Sequence, residues 1–158
     1  MTPKKPSLDP WRSIRKEIII ARPLPEVFAY FTREFATWWP LASHSLGREG
    51  SGGVAFPPAA GGRITEKLAD GSLAVWGIVT ALEAPSRVSF TWHPGRPPHE
   101  ATEVEVSFSA EGESATRVIL VHSGWAKLAA EPVNWRGEYD RGWDFVFGEC
   151  FARRVREK

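Results

Sequence analysis

The sequence predicts an α+β domain in which a curved antiparallel sheet of about six or seven strands wraps around one long C-terminal helix. Three observations lead to this prediction. Segments rich in β-branched or alternating apolar residues follow one another from residue 63 to residue 122, with short turns between them. An apolar stripe with a spacing of four residues runs from Tyr139 to Val155. Two short helical segments separate a first strand from these later strands and from the C-terminal helix.

Composition limits the classes of protein to which the chain can belong. Its 158 residues carry 20 Lys and Arg against 19 Asp and Glu, with no basic patch, so we expect no nucleic-acid partner. No apolar run approaches the roughly 20 residues of a membrane helix, so we expect no membrane insertion. Cys150 is the single cysteine, which rules out an intrachain disulfide and favours a cytoplasmic location. We expect residues 1–13 to form a flexible tail and residues 14–158 to form a single domain.

The N-terminal part predicts one strand, one or two short helices and a long connection. β-Branched residues favour a strand over residues 14–20. Pro25 is well placed near a helix start, and phenylalanines at helical spacing predict one or two short helices over residues 26–37. Residues 43–62 are rich in Gly, Ser and Pro, so we expect a long loop there, with one short strand at residues 54–56.

The middle of the chain predicts an antiparallel meander. The pair Asp70-Gly71 is a strong hairpin signal because both residue types tolerate the backbone angles of a tight turn. Glu103 and Glu105 alternate with Val104 and Val106, which indicates a strand with one polar and one apolar face. The predicted strands are residues 63–68, 73–82, 87–93, 102–110 and 116–122.

The closing helix is predicted from residue 138 to about residue 156. At about 1.5 Å per residue it is roughly 28 Å long, enough to cross a small sheet. Gly142 and Gly148 lie inside it, and each costs about 1 kcal/mol relative to Ala. Either a glycine lets the helix approach something bulky, or it serves ordinary close packing between helix and sheet.

Aromatic residues on the predicted inner face of the sheet suggest a cavity. The segment 90–93 reads Phe-Thr-Trp-His, and a later strand ends in His122. A sheet that points Phe and Trp inward together with a polar group is more typical of a pocket than of a solid core. We therefore predict a ligand cavity between the sheet and the C-terminal helix.

A series of short motifs, in a fixed order over about residues 14–155, gives the chain a family resemblance. They are Ile18-Ile19-Ile20-Ala21-Arg22-Pro23, Glu26-Val27-Phe28, Trp38-Trp39-Pro40, His44-Ser45, Gly61-Gly62-Arg63, Asp70-Gly71, Trp76-Gly77, Thr91-Trp92, Thr102-Glu103-Val104, Thr116-Arg117-Val118, His122-Ser123-Gly124-Trp125 and Gly142-Trp143. With them the chain resembles the START-like (SRPBCC) superfamily. More narrowly, it resembles the bacterial branch similar to the activator of the heat-shock-protein-90 ATPase.

The resemblance implies a helix-grip fold and a cavity for a small, mostly apolar ligand. Members of the superfamily include lipid carriers, hormone receptors and aromatic polyketide cyclases, so the fold alone does not decide the function. Relatives often carry an acidic residue after the position of Phe56, where this chain has Pro57. A role for that carboxylate therefore cannot be carried over.

Eight residues are predicted to contact the ligand. Seven are aromatic and one is a histidine, in keeping with the apolar lining of most ligand sites. They are Trp39, Phe56, Trp76, Phe90, Trp92, His122, Trp143 and Phe147. His122 shares a strand face with Val118 and Leu120, and the family resemblance implies that this face points inward. There His122 would orient a ligand or act as a general base, unless it is a core histidine with both nitrogens satisfied.

Three further residues are predicted as polar anchors for a ligand head group. They are Arg63, Glu66 and His44. A guanidinium at a pocket mouth can fix an anionic group. For Arg63 and Glu66, a solvated surface ion pair is the competing interpretation.

Other chemistry has little support in the sequence. No two of the four histidines have the spacing of metal ligands, so we assign no metal site. No phosphate-binding loop follows a strand, and no Gly-x-Ser-x-Gly elbow occurs. We therefore assign no cofactor and no catalytic residue, and Cys150 is interpreted as a small buried hydrophobe.

Three functions remain open at the level of sequence. The first is binding of a small apolar or amphipathic molecule without catalysis. The second is a cyclase or aromatase reaction that uses a pocket histidine. The third is contact with a chaperone in a stress response, which would need an exposed apolar patch. A homodimer is compatible with each of them.

Overall fold

A computed structural model of the chain describes residues 12–128 and 131–157. The predicted tail, residues 1–13, falls almost entirely outside the described residues. Seven antiparallel strands form one sheet in the order β1-β7-β6-β5-β4-β3-β2. Their bounds are β1 Ile14–Ile20, β2 Val54–Ala55, β3 Arg63–Lys67, β4 Leu73–Glu83, β5 Arg87–Trp92, β6 Thr102–Ala110 and β7 Thr116–Ser123.

Two irregularities in strand pairing bend the sheet. The register shifts between Ile64 and Thr65 in the β3–β4 pair, and between Val79 and Ala81 in the β4–β5 pair. Bulges of this kind increase local twist and curvature. Beside the second shift, β5 approaches so closely that a Cβ on Gly77 would lie 1.8 Å from the Thr91 carbonyl oxygen. The sheet can therefore curve at this point only because residue 77 has no side chain.

Helices cover the concave side of the sheet. Two short ones follow β1, α1 Leu24–Thr32 and α2 Phe35–Trp38. The C-terminal helix consists of α3 Pro132–Phe145, a π-helical segment Val146–Phe151 and α4 Ala152–Glu157. This confirms the predicted sheet and long C-terminal helix with two short helices after the first strand.

The C-terminal helix starts six residues earlier than the sequence predicted. Pro132 occupies its first turn, where proline loses no helical hydrogen bond. The prediction began at residue 138 because the apolar stripe starts at Tyr139. The first turns are only partly buried, and Val133 is 60% exposed. Periodicity therefore marks the part of a helix that packs, and misses turns that extend beyond the core.

Aromatic rings fill the centre of the interior. Phe31 and Trp38 each lie within 5.2 Å of the Phe151 ring centroid, and Phe28 contacts Phe108 at 5.1 Å. Edge-to-face contacts at these distances are typical of a tightly packed aromatic core. The middle of the space between helix and sheet is therefore solid, and any cavity must lie toward one of its ends.

An ion pair fastens the edge strand β1 to the C-terminal helix. The Lys16 ammonium lies 2.6 Å from an Asp140 carboxylate oxygen and 2.8 Å from one of Asp144.

Among the described residues, no helix is long and apolar enough to cross a bilayer.

Candidate functional site

One end of the interior contains a pocket with a volume of about 200 Å³. We call it the indole pocket because four tryptophans form its walls: Trp39, Trp76, Trp92 and Trp143. The other lining residues are Ser43, His44, Ser45, Leu46, Arg48, Pro94, Tyr139, Gly142 and Val146. The pocket lies between the sheet, helix α3 and the loop of residues 43–48, which we call the rim loop.

The four indoles pack against one another around the opening. Ring centroids are 5.3 Å apart for Trp39 and Trp76, 5.6 Å for Trp39 and Trp92, and 5.8 Å for Trp92 and Trp143. Each of the four side chains is at most 8% exposed. These bulky rings surround an open space without filling it.

Three of the indoles are held by hydrogen bonds from their N–H groups. Trp39 donates to the His44 carbonyl oxygen at 2.7 Å, and Trp76 donates to the Glu66 carboxylate at 3.2 Å. Trp143 donates to His122 Nδ1 at 2.9 Å. A buried indole N–H normally needs such a partner, and the partner also fixes the ring plane. The walls are therefore pre-organised.

The rim loop is anchored on Glu66. This fully buried carboxylate accepts hydrogen bonds from the backbone N–H groups of Leu46 at 2.8 Å and Gly47 at 2.9 Å, in addition to the Trp76 indole. Burial alone raises the pKa of the Glu66 carboxyl. The hydrogen bonds from Gly47, Leu46, Ser51 and Trp76 outweigh it and bring the pKa below its ordinary value. Glu66 is therefore a charged side chain that links β3 to the rim loop through hydrogen bonds.

His44 lies on the rim of the indole pocket. Its Nδ1 is 2.7 Å from the Ser43 hydroxyl, and its ring stacks on Phe145 at 5.3 Å. Burial lowers the pKa of His44, and the nearby positive charge of Arg48 lowers it further. The imidazole at the rim is therefore neutral at neutral pH.

His122 lies behind the Trp143 wall. Because the Trp143 indole donates to Nδ1, the proton of neutral His122 is on Nε2, which donates to the Thr102 hydroxyl at 2.6 Å. Thr102 in turn donates to the Trp92 carbonyl oxygen at 3.1 Å. Burial, and to a smaller extent the charges of Arg96 and Arg136, hold the pKa of His122 well below its ordinary range. Both ring nitrogens are occupied within the protein.

Arg96 braces the same end of the molecule. Its side chain is 9% exposed, and its Nη2 donates to the Trp92 carbonyl oxygen at 2.8 Å and to the Tyr139 hydroxyl at 3.3 Å. Nη1 donates to the Glu100 carbonyl oxygen, and the guanidinium lies 5.3 Å from the Trp135 ring centroid. Arg96 thus ties the connection between β5 and β6 to helix α3 through backbone carbonyls and aromatic faces.

The structure brings together five of the residues predicted from the sequence. Trp39, Trp76, Trp92, Trp143 and His44 all line the indole pocket. His122 and Glu66 lie one layer behind it, each hydrogen-bonded to a wall indole.

The other four predicted residues lie elsewhere. Phe90 and Phe147 are at most 2% exposed and pack in the aromatic core. Phe56 lines a separate groove of about 770 Å³ beside α1, together with Phe28, Arg33, Pro57 and Pro85 among others. Arg63 is exposed at the start of β3.

Sequence reasoning did not identify Arg48 and Tyr139 as lining residues. Tyr139 stands one helical turn before Trp143 and could have been found from that spacing. For Arg48 the sequence gives no signal. Its position depends on a left-handed backbone conformation, with φ of 53°, that is unusual for a residue other than Gly or Asn.

The arrangement suits the binding of a flat apolar group. The walls offer aromatic faces, and the polar groups are concentrated on the rim loop. In the described part of the chain, no group of three or more His, Cys, Asp or Glu side chains is placed to hold a metal ion.

Comparison with known proteins agrees with this architecture. The profile of the family "Activator of Hsp90 ATPase homolog 1-like protein" matches residues 21–148. The chain belongs to this family. The family resemblance noted from the sequence motifs is therefore confirmed. No curated protein matches the chain in sequence.

Solved structures of relatives share the fold. An anthrahydroquino-γ-pyrone synthase, solved in a complex, is 30% identical, with a TM-score of 0.62 over 89% of this chain and 95% of the synthase. The self-sacrificing resistance protein CalC from Micromonospora echinospora is 20% identical, with a TM-score of 0.66 over 94% of this family member and 97% of CalC. An HSP90 activator from Plasmodium falciparum is 19% identical, with a TM-score of 0.55 over 86% of this chain and 96% of the activator. The helix-grip fold predicted from the resemblance is confirmed.

Proposed function

We propose that this family member binds a small apolar or amphipathic molecule in the indole pocket. The observation that carries the proposal is that four hydrogen-bonded or tightly packed indoles surround about 200 Å³ of open space. Protein interiors are otherwise packed as densely as organic crystals, so bulky side chains that leave such a space need a reason. A bound guest supplies that reason.

The size of the pocket limits the guest. An engineered cavity of about 150 Å³ in another protein holds benzene, whereas drug-sized ligands occupy about 300–1,000 Å³. The indole pocket therefore suits a molecule of one or two rings, or one end of a larger molecule. The likeness to a synthase solved in a complex supports a ligand site in this fold.

Gly142 offers a direct test, since it lines the pocket on helix α3. A Cβ at Gly142 would have only ordinary contacts, 3.9 Å from the His44 ring, so a longer side chain there would extend across the mouth. We expect Gly142→Leu to weaken binding of a two-ring probe such as 2-naphthamide by about tenfold or more. Titration calorimetry measures the affinity.

Gly137→Leu is the matched control. Gly137 lies on the same helix but does not line the pocket, and a Cβ there would be 3.5 Å from the end of the Arg141 side chain. Both variants replace a helical glycine with the same residue, so only the position differs. Equal affinities in the two variants would contradict the proposed site.

A catalytic role is the second candidate, favoured by the 30% identity to a synthase. His122 is poorly placed for acid–base chemistry, because both its nitrogens are bonded to Thr102 and Trp143. In a reaction we would assign the general base to His44, the neutral imidazole on the rim.

Turnover of a hydroxylated anthraquinone-type substrate, followed by chromatography and mass spectrometry, tests the catalytic role. We expect His44→Gln to abolish conversion but to retain binding. Conversion that is unchanged in His44→Gln would exclude His44 as the base. If the parent protein binds the substrate but does not convert it, the catalytic role is excluded and noncatalytic binding remains.

The proposal extends to the location and the partners of the protein. We place the protein in the cytoplasm, because a lone cysteine is typical of a reducing compartment. Likeness to an HSP90 activator at 19% identity shows the fold alone, so chaperone contact stays a prediction. Formation of a homodimer also stays a prediction.

A further inference from the structure

We infer that the indole pocket selects a small aromatic anion, such as an aromatic carboxylate, with its ring among the indoles and its charged group at Arg48. This inference rests on the proposed function and adds the charge and shape of the ligand. It depends on three features of the site: its charge balance, the free donors of Arg48 and the shape of the walls.

The charge balance of the pocket is one-sided. Among the described residues that line the pocket there is no Asp or Glu, whereas Arg48 contributes a positive charge on the rim loop. The charged carboxylate of Glu66 lies behind the loop, where its oxygens accept hydrogen bonds from the N–H groups of Leu46, Gly47 and Trp76. An anion that enters the pocket therefore meets a cation and encounters no carboxylate on the lining.

Arg48 has hydrogen-bond donors to spare. Within the described ranges, its guanidinium donates one bond, to the Ser43 carbonyl oxygen. In the part of the chain that the structure describes, no carboxylate lies within 4.0 Å of it. A guanidinium carries five N–H donors in a planar fork that matches a carboxylate, so a paired set remains for a ligand.

The backbone of Arg48 is pre-organised. It is held at φ of 53°, and its N–H donates to the Ser45 hydroxyl at 2.8 Å. Ser45 in turn donates to the Leu41 carbonyl oxygen at 2.6 Å. A left-handed conformation costs an arginine about 1 kcal/mol or more, and it persists only where the surroundings hold it. These hydrogen bonds hold the backbone that carries the Arg48 side chain in one conformation at the rim.

Arg96, a second cation at this end of the molecule, already has partners within the protein. The two Nη groups of Arg96 donate hydrogen bonds to the carbonyl oxygens of Trp92 and Glu100 and to the Tyr139 hydroxyl. Arg96 does not line the pocket. Arg48 is therefore the group that would meet an anionic ligand.

The walls favour a planar aromatic body. The contacting wall rings, with centroids 5.3–6.1 Å apart, present both faces and edges to the open space. Offset stacking and edge contacts with such rings add to simple burial of apolar area. Two fused rings with one carboxylate therefore match the shape and the charge of the site together.

The test compares 2-naphthoate with 2-naphthamide, which has the same shape but no charge. We expect titration calorimetry to show naphthoate binding about fivefold to tenfold tighter, in the range of a charged hydrogen bond at a partly exposed site. Arg48→Asn should remove this preference and leave the amide unaffected, since Asn tolerates the left-handed backbone. Arg63→Gln, which removes an exposed arginine away from the pocket, should leave the preference unchanged.

Two further measurements keep the test independent of how Arg48→Asn folds. Added salt should weaken the binding of naphthoate and leave that of naphthamide constant, because it screens a charge contact at the rim. The indole N–H signals of Trp39 and Trp143 should shift in NMR spectra with either ligand. These signals report occupancy of the pocket itself.

The outcomes separate the two claims. Equal affinities for the two probes, or a preference for naphthoate that survives in Arg48→Asn, overturn the inference and leave the proposed function standing. Binding of neither probe, with unshifted indole signals, overturns both.

Discussion

At the scale of single residues, the site depends on polar groups that hold aromatic rings. His122 was a candidate ligand contact or base in the sequence, and the structure gives it the alternative role of a satisfied buried imidazole. It orients Trp143 on one side and Thr102 on the other. A residue behind a pocket can thus control the wall without touching the guest.

The depressed pKa of His122 predicts how stability depends on pH. The unfolded chain takes up a proton on this residue below about pH 6.5, whereas the folded protein keeps it neutral, so stability falls as the pH is lowered. We expect a contribution of up to about 1.4 kcal/mol per pH unit below that value. Urea unfolding between neutral and mildly acidic pH measures it.

His122→Asn supplies the comparison for this prediction. It should be less stable at neutral pH by about 1–3 kcal/mol, because the hydrogen-bond chain to Thr102 is broken. It should also show a smaller loss of stability on acidification. His44, whose pKa is also lowered, contributes a dependence of the same sign that both proteins share. Parallel curves for the two proteins would show that His122 titrates normally.

Glu66 makes a second prediction at this scale. Glu66→Gln keeps the shape but removes the charge and places an NH₂ group opposite backbone donors, so we expect a loss of about 1–3 kcal/mol and faster hydrogen exchange at Leu46 and Gly47. Glu49→Gln, in an exposed position close by, is the control and should change neither. Because the pKa of Glu66 is lowered, its stabilising effect is lost as the pH falls below its ordinary value of 4.5.

At the scale of elements, close backbone approach fixes the curvature of the sheet. Strands β4 and β5 leave regular pairing next to Gly77, where Ile78 N–H bonds to the Thr91 hydroxyl at 2.9 Å. The neighbouring Trp76 forms part of the pocket wall. The bend and the pocket are therefore properties of the same stretch of strand.

Gly77→Ala should be strongly destabilising. The new methyl group would overlap the Thr91 carbonyl oxygen, a backbone atom that cannot rotate away, so we expect a loss of about 3 kcal/mol or more, or no folding. Gly50→Ala is the control, because no atom lies within 4 Å of the added Cβ. Thermal unfolding of the two variants tests this prediction. Similar melting temperatures would contradict the close approach of the residue 77 backbone to the Thr91 carbonyl oxygen.

The C-terminal helix shows how one element serves two purposes. Its α3 part carries Tyr139, Gly142 and Trp143 to the pocket, and its π-helical segment carries Phe147 and Phe151 into the solid core. A π-helical segment rotates the residues on either side of it relative to a regular helix. The change of pattern at residue 146 coincides with the boundary between open pocket and filled core.

At the scale of the whole molecule, the pocket joins the sheet, α3 and the rim loop. A guest that contacts all three should stabilise the protein as a unit, because unfolding any of them releases it. At a ligand concentration of about one hundred times the dissociation constant the gain is about 2.7 kcal/mol. For a chain of this size we expect a rise in melting temperature of about 5–10 °C with 2-naphthoate. Differential scanning calorimetry measures it, and Gly142→Leu should show little rise.

Much of the architecture was predictable because local patterns encode it. Alternation along residues 102–110 reproduces β6 to the residue, and the four-residue stripe from Tyr139 locates the packed part of the C-terminal helix. The position of the indole pocket was only partly predictable. Aromatic residues on the inner face suggested a cavity, but nothing in the order of residues separated Trp92, which lines it, from Phe90, which is buried in the core.

By itself, the sequence determined the order of strands and helices, the apolar faces and the family, because periodicity and turn residues act over a few neighbours along the chain. Only the tertiary structure decided which aromatic rings leave a space, that Glu66 holds the rim loop, and that Arg48 lies at the mouth. These depend on groups about 20 or more residues apart meeting with a precision of about an ångström. Such meetings follow from packing of the whole chain, which no local pattern records.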